Sequence, residues 1–186
     1  MENSLEKNYG VPSNISEHKK ENSVLELFNL SEEQKRELKE RVREHNGLVR
    51  VFIHPIPSLQ DGIVLENQDR VSQILIKTMF SEKAPPVIIF ENARMKGRWK
   101  KSLEKAPRDL PKEIYLVSTQ DDIPDPKDGI EQFVKFLDEM SVKKIMVGGT
   151  SLEVLHYHLN RCVGNFIHLM RRNSDIELKF PTQRLR

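Results

Sequence analysis

From Leu48 onward the chain alternates between two hydrophobic rhythms. Leu48–Ile53 is strand-like and is closed by His54-Pro55. Short unbroken apolar runs follow at residues 87–90, 114–117 and 145–147, and the last is ended by Gly148-Gly149. Between them lie stripes at helical spacing. These are Val71, Ile74, Leu75 and Met79; Met95, Trp99 and Leu103; Ile130, Phe133, Val134, Leu137 and Met140; and Leu152, Leu155, Leu159, Val163, Phe166 and Met170. Ile176, Leu178 and Phe180 alternate with Glu177 and Lys179. Period 3.6 predicts helices and short apolar runs predict strands, so the order reads β-α-β-α-β-α-β-α-β.

Runs apolar at every position suit strands covered on both faces, and intervening helices supply crossovers. The pattern therefore predicts an α/β fold, a three-layer Rossmann-like or flavodoxin-like sandwich around a mostly parallel five-stranded sheet. It covers a single domain over residues 47–186. The alternating last strand has one wet face and is expected at a sheet edge.

The N-terminal quarter reads differently. Residues 1–22 are polar and carry no apolar core pattern, so a disordered tail is expected. Residues 23–46 are expected to be a charged helical segment. Its helix opens at Ser31, where Ser-Glu-Glu-Gln is a capping box, and runs to about His45. Leu38 and Val42 are its thin apolar face, set among pairs such as Glu32–Arg36 and Glu37–Arg41. Asn46-Gly47 supplies C-cap chemistry.

Charge narrows the functional classes only a little. Residues 1–46 hold 8 Lys/Arg against 10 Asp/Glu, while the whole chain is +2. That balance is no polyanion-binding signature by itself. One helix, residues 94–105, is basic, but its simplest meaning is a solvated outer face, so nucleic acid is not the expected partner. No aromatic interleaves with these cations, since Trp99 belongs to the apolar stripe. The single cysteine, Cys162, excludes an internal disulfide and a Cys-rich zinc site. Residues 1–20 lack the apolar stretch of a signal peptide, and no run approaches a membrane span. Cytoplasmic localisation and no membrane association are expected. A small-molecule ligand is the expected partner, and a homo-oligomer stays open.

Ligands of open α/β sheets bind beyond the carboxyl ends of the strands. Those ends here carry His54, Glu91, Thr119, Gly148, Gly149 and Thr150. Turn and cap chemistry accounts for the same residue types, so both readings stand. Gly148-Gly149-Thr150-Ser151 before a helix suits close backbone approach to an anion. It matches neither GxGxxG nor GxxxxGK[ST], and no cofactor is implied. Thr150 with Glu153 also forms a capping box. His156 and His158, two apart, do not share a helical face, and no metal site is expected.

Cys162 admits two readings. On the apolar stripe it is a small buried hydrophobe. Gly164, unusual inside a helix, allows a helix start near residue 160, which puts the thiol in the first turn and lowers its pKa.

Gly148-Gly149, then Cys162-Val163-Gly164, a helix of about ten residues and a strand at 176–180 together resemble the last third of isochorismatase-like cysteine hydrolases. The resemblance implies a parallel sheet with helices on both faces and a nucleophile at Cys162. It covers about a quarter of the chain. His54 stands where that family carries an aspartate, and no lysine follows Val117 before Lys127, so the family's triad is not transferred. The residues thus support a thiol-dependent hydrolase with Cys162 as nucleophile and His54 or Glu91 as base, with Thr119, Gly148, Gly149 and Thr150 around the ligand. The alternative is a non-catalytic binding module that uses the charged helix 31–45 and the basic helix 94–105.

Overall fold

The computed structural model describes residues 23–53, 84–92, 96–104, 113–119, 129–149 and 162–180. Six strands form one sheet: β1 (Ser23–Glu26), β2 (Leu48–Ile53), β3 (Val87–Asn92), β4 (Glu113–Thr119), β5 (Lys144–Gly149) and β6 (Glu177–Lys179). Among the described residues four α-helices accompany them: α1 (Glu32–Glu44), α2 (Lys96–Glu104), α3 (Gly129–Glu139) and α4 (Cys162–Asn173). The sheet order is β1-β4-β3-β2-β5-β6, and all five pairings are parallel. The α/β class with a parallel sheet is as the sequence predicts. The strand count is six rather than five.

The additional strand is β1, whose Val24 and Leu25 pair with Ile114 and Tyr115 of β4. Residues 23–26 are therefore strand rather than part of a charged helical segment, and the sheet does not begin at residue 47. Two apolar residues beside a polar stretch are too few to show a strand. Its backbone partners come from β4, far along the chain. β6 takes the edge position expected of it, next to β5.

The sheet separates two cores. One face packs Val49, Val51, Ile53, Ile88, Phe90, Tyr115, Val117, Ile145 and Val147 against α1, α3 and α4. The other packs Val87, Ile89, Ile114 and Leu116 against Trp99 and Leu103 of α2. Alternation along each strand assigns neighbouring residues to opposite faces, which is why both faces read as apolar. The α4 side is keyed by aromatic rings. Phe90 meets Phe133 at 4.9 Å and Phe166 at 5.2 Å between ring centroids.

Helix ends follow their sequence signals. Ser31 accepts from the Gln34 backbone N–H while the Gln34 side chain accepts from the Ser31 N–H, closing the capping box. Leu38 and Val42 are both 1% exposed. At the other end Gly47 N–H donates to Val42 O and Asn46 N–H to Arg43 O. This is a Schellman cap, with Asn46 at φ 55° and Gly47 at φ 77°. α3 ends the same way, with Ser141 at φ 60° and Val142 N–H donating to Leu137 O. The expected helix over 71–79 and the segment 152–161 of the long stripe lie outside the described residues. So do the 1–22 tail and the strand-closing His54.

Candidate functional site

The strand order reverses direction at β2. From β2 the chain moves outward to β3 and β4, then returns past them to β5 and β6. β2 and β5 are hydrogen-bonded neighbours, and Phe52 pairs with Gly148 and Ile53 with Gly149 at their carboxyl ends. Loops leaving such a pair run to opposite faces of the sheet and open a crevice between them. That places the double glycine at the switch point, where the sequence reading puts the ligand.

Gly148 has a packing reason to be glycine. A Cβ there would sit 2.7 Å from Cε1 and 2.8 Å from Cδ1 of Phe52. The Phe52 ring lies over the backbone of its register partner and packs against the α2-side core. Gly149 is the last described residue of β5. Thr150 lies outside the described residues.

Glu91 is 3% exposed. It stands two residues beyond Ile89 on β3, so it shares the α2 face, with Ser118 as its register neighbour on β4. The helix that carries Cys162 lies on the opposite face. The described elements thus set Glu91 and α4 on two sides of the sheet. Thr119 closes β4 beside Asn92.

The described part of α4 begins at Cys162, and the residues before it, 150–161, lie outside the description. Its side chain lies outside the description. One residue on, Val163 is 5% exposed, followed by Phe166 at 1% and Met170 at 0%. The part of the predicted stripe that falls within the described residues is therefore buried. α4 returns the chain toward β6, whose Glu177 N–H donates to Lys143 O at the start of β5. The opposite end of the helix, with Cys162, accordingly lies toward the carboxyl ends of the strands.

Sequence reasoning missed two polar features. At the β1–β4 end of the same edge, Glu26 accepts from Lys96 Nζ at 2.8 Å and from Ser118 Oγ at 2.9 Å. These residues come from three elements, and only the sheet order joins them. Arg50, mid-strand in β2, lies half-buried on the α2 face, and burial lowers its pKa. It sits inside an apolar run that reads as core. The basic helix is as expected on its inner side, since Trp99 is 0% exposed, and Lys100 and Lys101 are exposed outside.

Among the described residues no group of three or more His, Cys, Asp or Glu could hold a metal ion. No described helix is long and apolar enough to cross a membrane. Comparison with protein-family models, with curated proteins and with solved structures finds no match to this chain.

Proposed function

We propose that the chain is a cytoplasmic small-molecule hydrolase that uses the Cys162 thiol as nucleophile at the carboxyl edge of the sheet. What supports this reading is the place of Cys162 on the described helix between the switch-point strand β5 and β6, at the end of α4 toward the carboxyl ends of the strands. A thiol in the first turn of a helix has its thiolate stabilised by free N–H groups and by the positive end of the dipole. The thiolate adds to the carbonyl carbon of the substrate and forms a C–S bond. The leaving group departs with a proton, and water then cleaves the thioester and restores the thiol. Backbone N–H groups after Gly149 would bind the oxyanion. His54 follows Ile53, the register partner of Gly149, and is the better-supported base. Glu91 faces α2 instead.

Iodoacetamide alkylation of the native chain tests the proposal between pH 5.5 and 9. The expected alkylation rate rises with a midpoint below the ordinary thiol value of about 8.5. Cys162→Ser is expected to abolish hydrolysis of a panel of activated esters and amides. A thiol that stays unreactive until the chain is denatured overturns the proposal.

One observation favours a second reading, a non-catalytic binding module. Gly148, the glycine expected to approach a ligand, is already required by Phe52. Under that reading Cys162 is inert and Cys162→Ser leaves all binding unchanged.

A further inference from the structure

The basic residues of α1 divide into two sets. Lys35 pairs with Glu32 at 2.7 Å, and Arg41 pairs with Glu113 at 2.9 Å. Arg36, Lys39 and Arg43 form no ion pair or side-chain hydrogen bond among the described residues. These three line a half-open groove of about 520 Å³ between α1 and the α3–β5 turn, closed by Asn46, Gly47, Ser141 and Lys143. Lys143 is exposed, and its Nζ likewise forms no ion pair or hydrogen bond among the described residues. Four cations thus face one space in which Glu40 is the single acid among the described lining residues.

Complementing the helix dipole explains only part of this set. α1 and α3 both end at the groove, each contributing roughly half a negative charge that fades within the last turn. Arg43 lies in that last turn. Arg36 and Lys39 stand farther back, and Lys143 is on no helix. Two helix ends offset about one positive charge, and the Schellman caps already satisfy carbonyls there, so a cationic surplus remains.

We infer that this groove binds a compact ligand carrying two or more phosphate groups. Two arginines, spaced roughly 10 Å along the helix by two turns, can each grip phosphate oxygens in bidentate fashion, and the lysines add point charges. The volume falls within the range of roughly 300–1,000 Å³ typical of small-ligand sites. Among the described residues no aromatic lines the groove, so none of them offers a stacking platform for single-stranded nucleic acid. The groove lies at the amino edge of the sheet, the opposite end from Cys162, so the inference is independent of the hydrolase proposal.

Titration calorimetry of the full chain with inorganic tripolyphosphate at 50 and 200 mM NaCl tests it. Saturable binding with one site per chain is expected, weaker at the higher salt. The double variant Arg36→Gln/Arg43→Gln is expected to lose about tenfold or more in affinity. Lys100→Gln/Lys101→Gln, on the exposed side of α2, is expected to bind as the parent does. Urea midpoints of both double variants should match the parent, since all four residues lie at the surface. Absence of saturable binding at 50 mM salt overturns the inference, and so does an equal loss in both double variants. A 20-base-pair DNA duplex that binds more tightly than tripolyphosphate through Arg36 and Arg43 also overturns it, in favour of a nucleic-acid surface.

Discussion

Phe52 and Gly148 face one another across β2 and β5, and the ring occupies the space a side chain at 148 would need. Gly148→Ala forces the ring off its position in a half-buried layer. The expected cost is about 1–3 kcal/mol in urea denaturation, the usual range for overpacking. Phe52→Leu in the same chain should recover most of that loss, because the smaller side chain vacates the contact. Equal destabilisation with and without Phe52→Leu would show that the ring is not the cause. Loss of activity in Gly148→Ala alone therefore carries no information about a ligand.

Tyr115 gives the fold a pH limit. Its hydroxyl donates to Glu113 Oε2 at 2.8 Å, and Arg41 Nη1 reaches the same carboxylate oxygen at 2.9 Å. Burial, then the Glu113 charge, pushes the phenol well above its ordinary value of 10.0. The folded state thus keeps its proton at a pH where the unfolded state releases it. Stability is whole below pH 10 and falls as pH rises through the alkaline range, by at most about 1.4 kcal/mol per pH unit from this group. Tyr115→Phe should be less stable at pH 8 by about 1 kcal/mol, and its stability should fall less steeply above pH 10. Parallel slopes for parent and variant in urea denaturation from pH 8 to 11.5 would contradict this assignment.

The strands and helices that the sequence shows are those whose signal is local. Residues 87–90 and 114–117 are apolar at every position because helices cover both faces of β3 and β4. Trp99 and Leu103 sit four apart and are both buried. Ser31 and Asn46-Gly47 mark the ends of α1 through chemistry confined to a few residues. What escapes is set by pairing between distant segments. β1 has only Val24 and Leu25 to announce it, and its partner β4 lies far along the chain. The contact between Phe52 and Gly148 depends on β5 docking beside β2 rather than β4. Glu91 ends a readable strand and Cys162 lies within a readable helical stripe, yet which face of the sheet each element takes follows from the crossovers, which carry no mark in the residues themselves.

Ser141 holds a left-handed backbone at φ 60° in the cap that ends α3. A residue with a Cβ pays about 1–2 kcal/mol there relative to glycine. Ser141→Gly should accordingly raise stability, by about 0.5–1 kcal/mol after the added freedom of the unfolded chain is discounted. Neither Oγ nor Cβ of Ser141 takes part in the two backbone hydrogen bonds that form the cap, so these should persist. Thermal unfolding reads the result, and a lower midpoint would mean that the side chain contributes something its position does not show.

The docking of α4 rests on Phe166. Its ring is 1% exposed and meets Phe90 at 5.2 Å and Phe133 at 6.1 Å, so one side chain joins α4, β3 and α3. Phe166→Ala removes that ring from a closed core and should cost about 3–5 kcal/mol, enough to unfold a marginal domain. Phe166→Leu keeps most of the volume and should cost less, leaving a folded chain in which α4 is held more loosely. Cys162 lies one turn before Phe166 on the same helix, so its alkylation reports on that docking. The Leu variant should alter the pH dependence of Cys162 alkylation while the folded far-ultraviolet circular dichroism signal is retained. An unchanged alkylation profile in a measurably destabilised Phe166→Leu chain would show that the setting of Cys162 does not depend on how α4 packs.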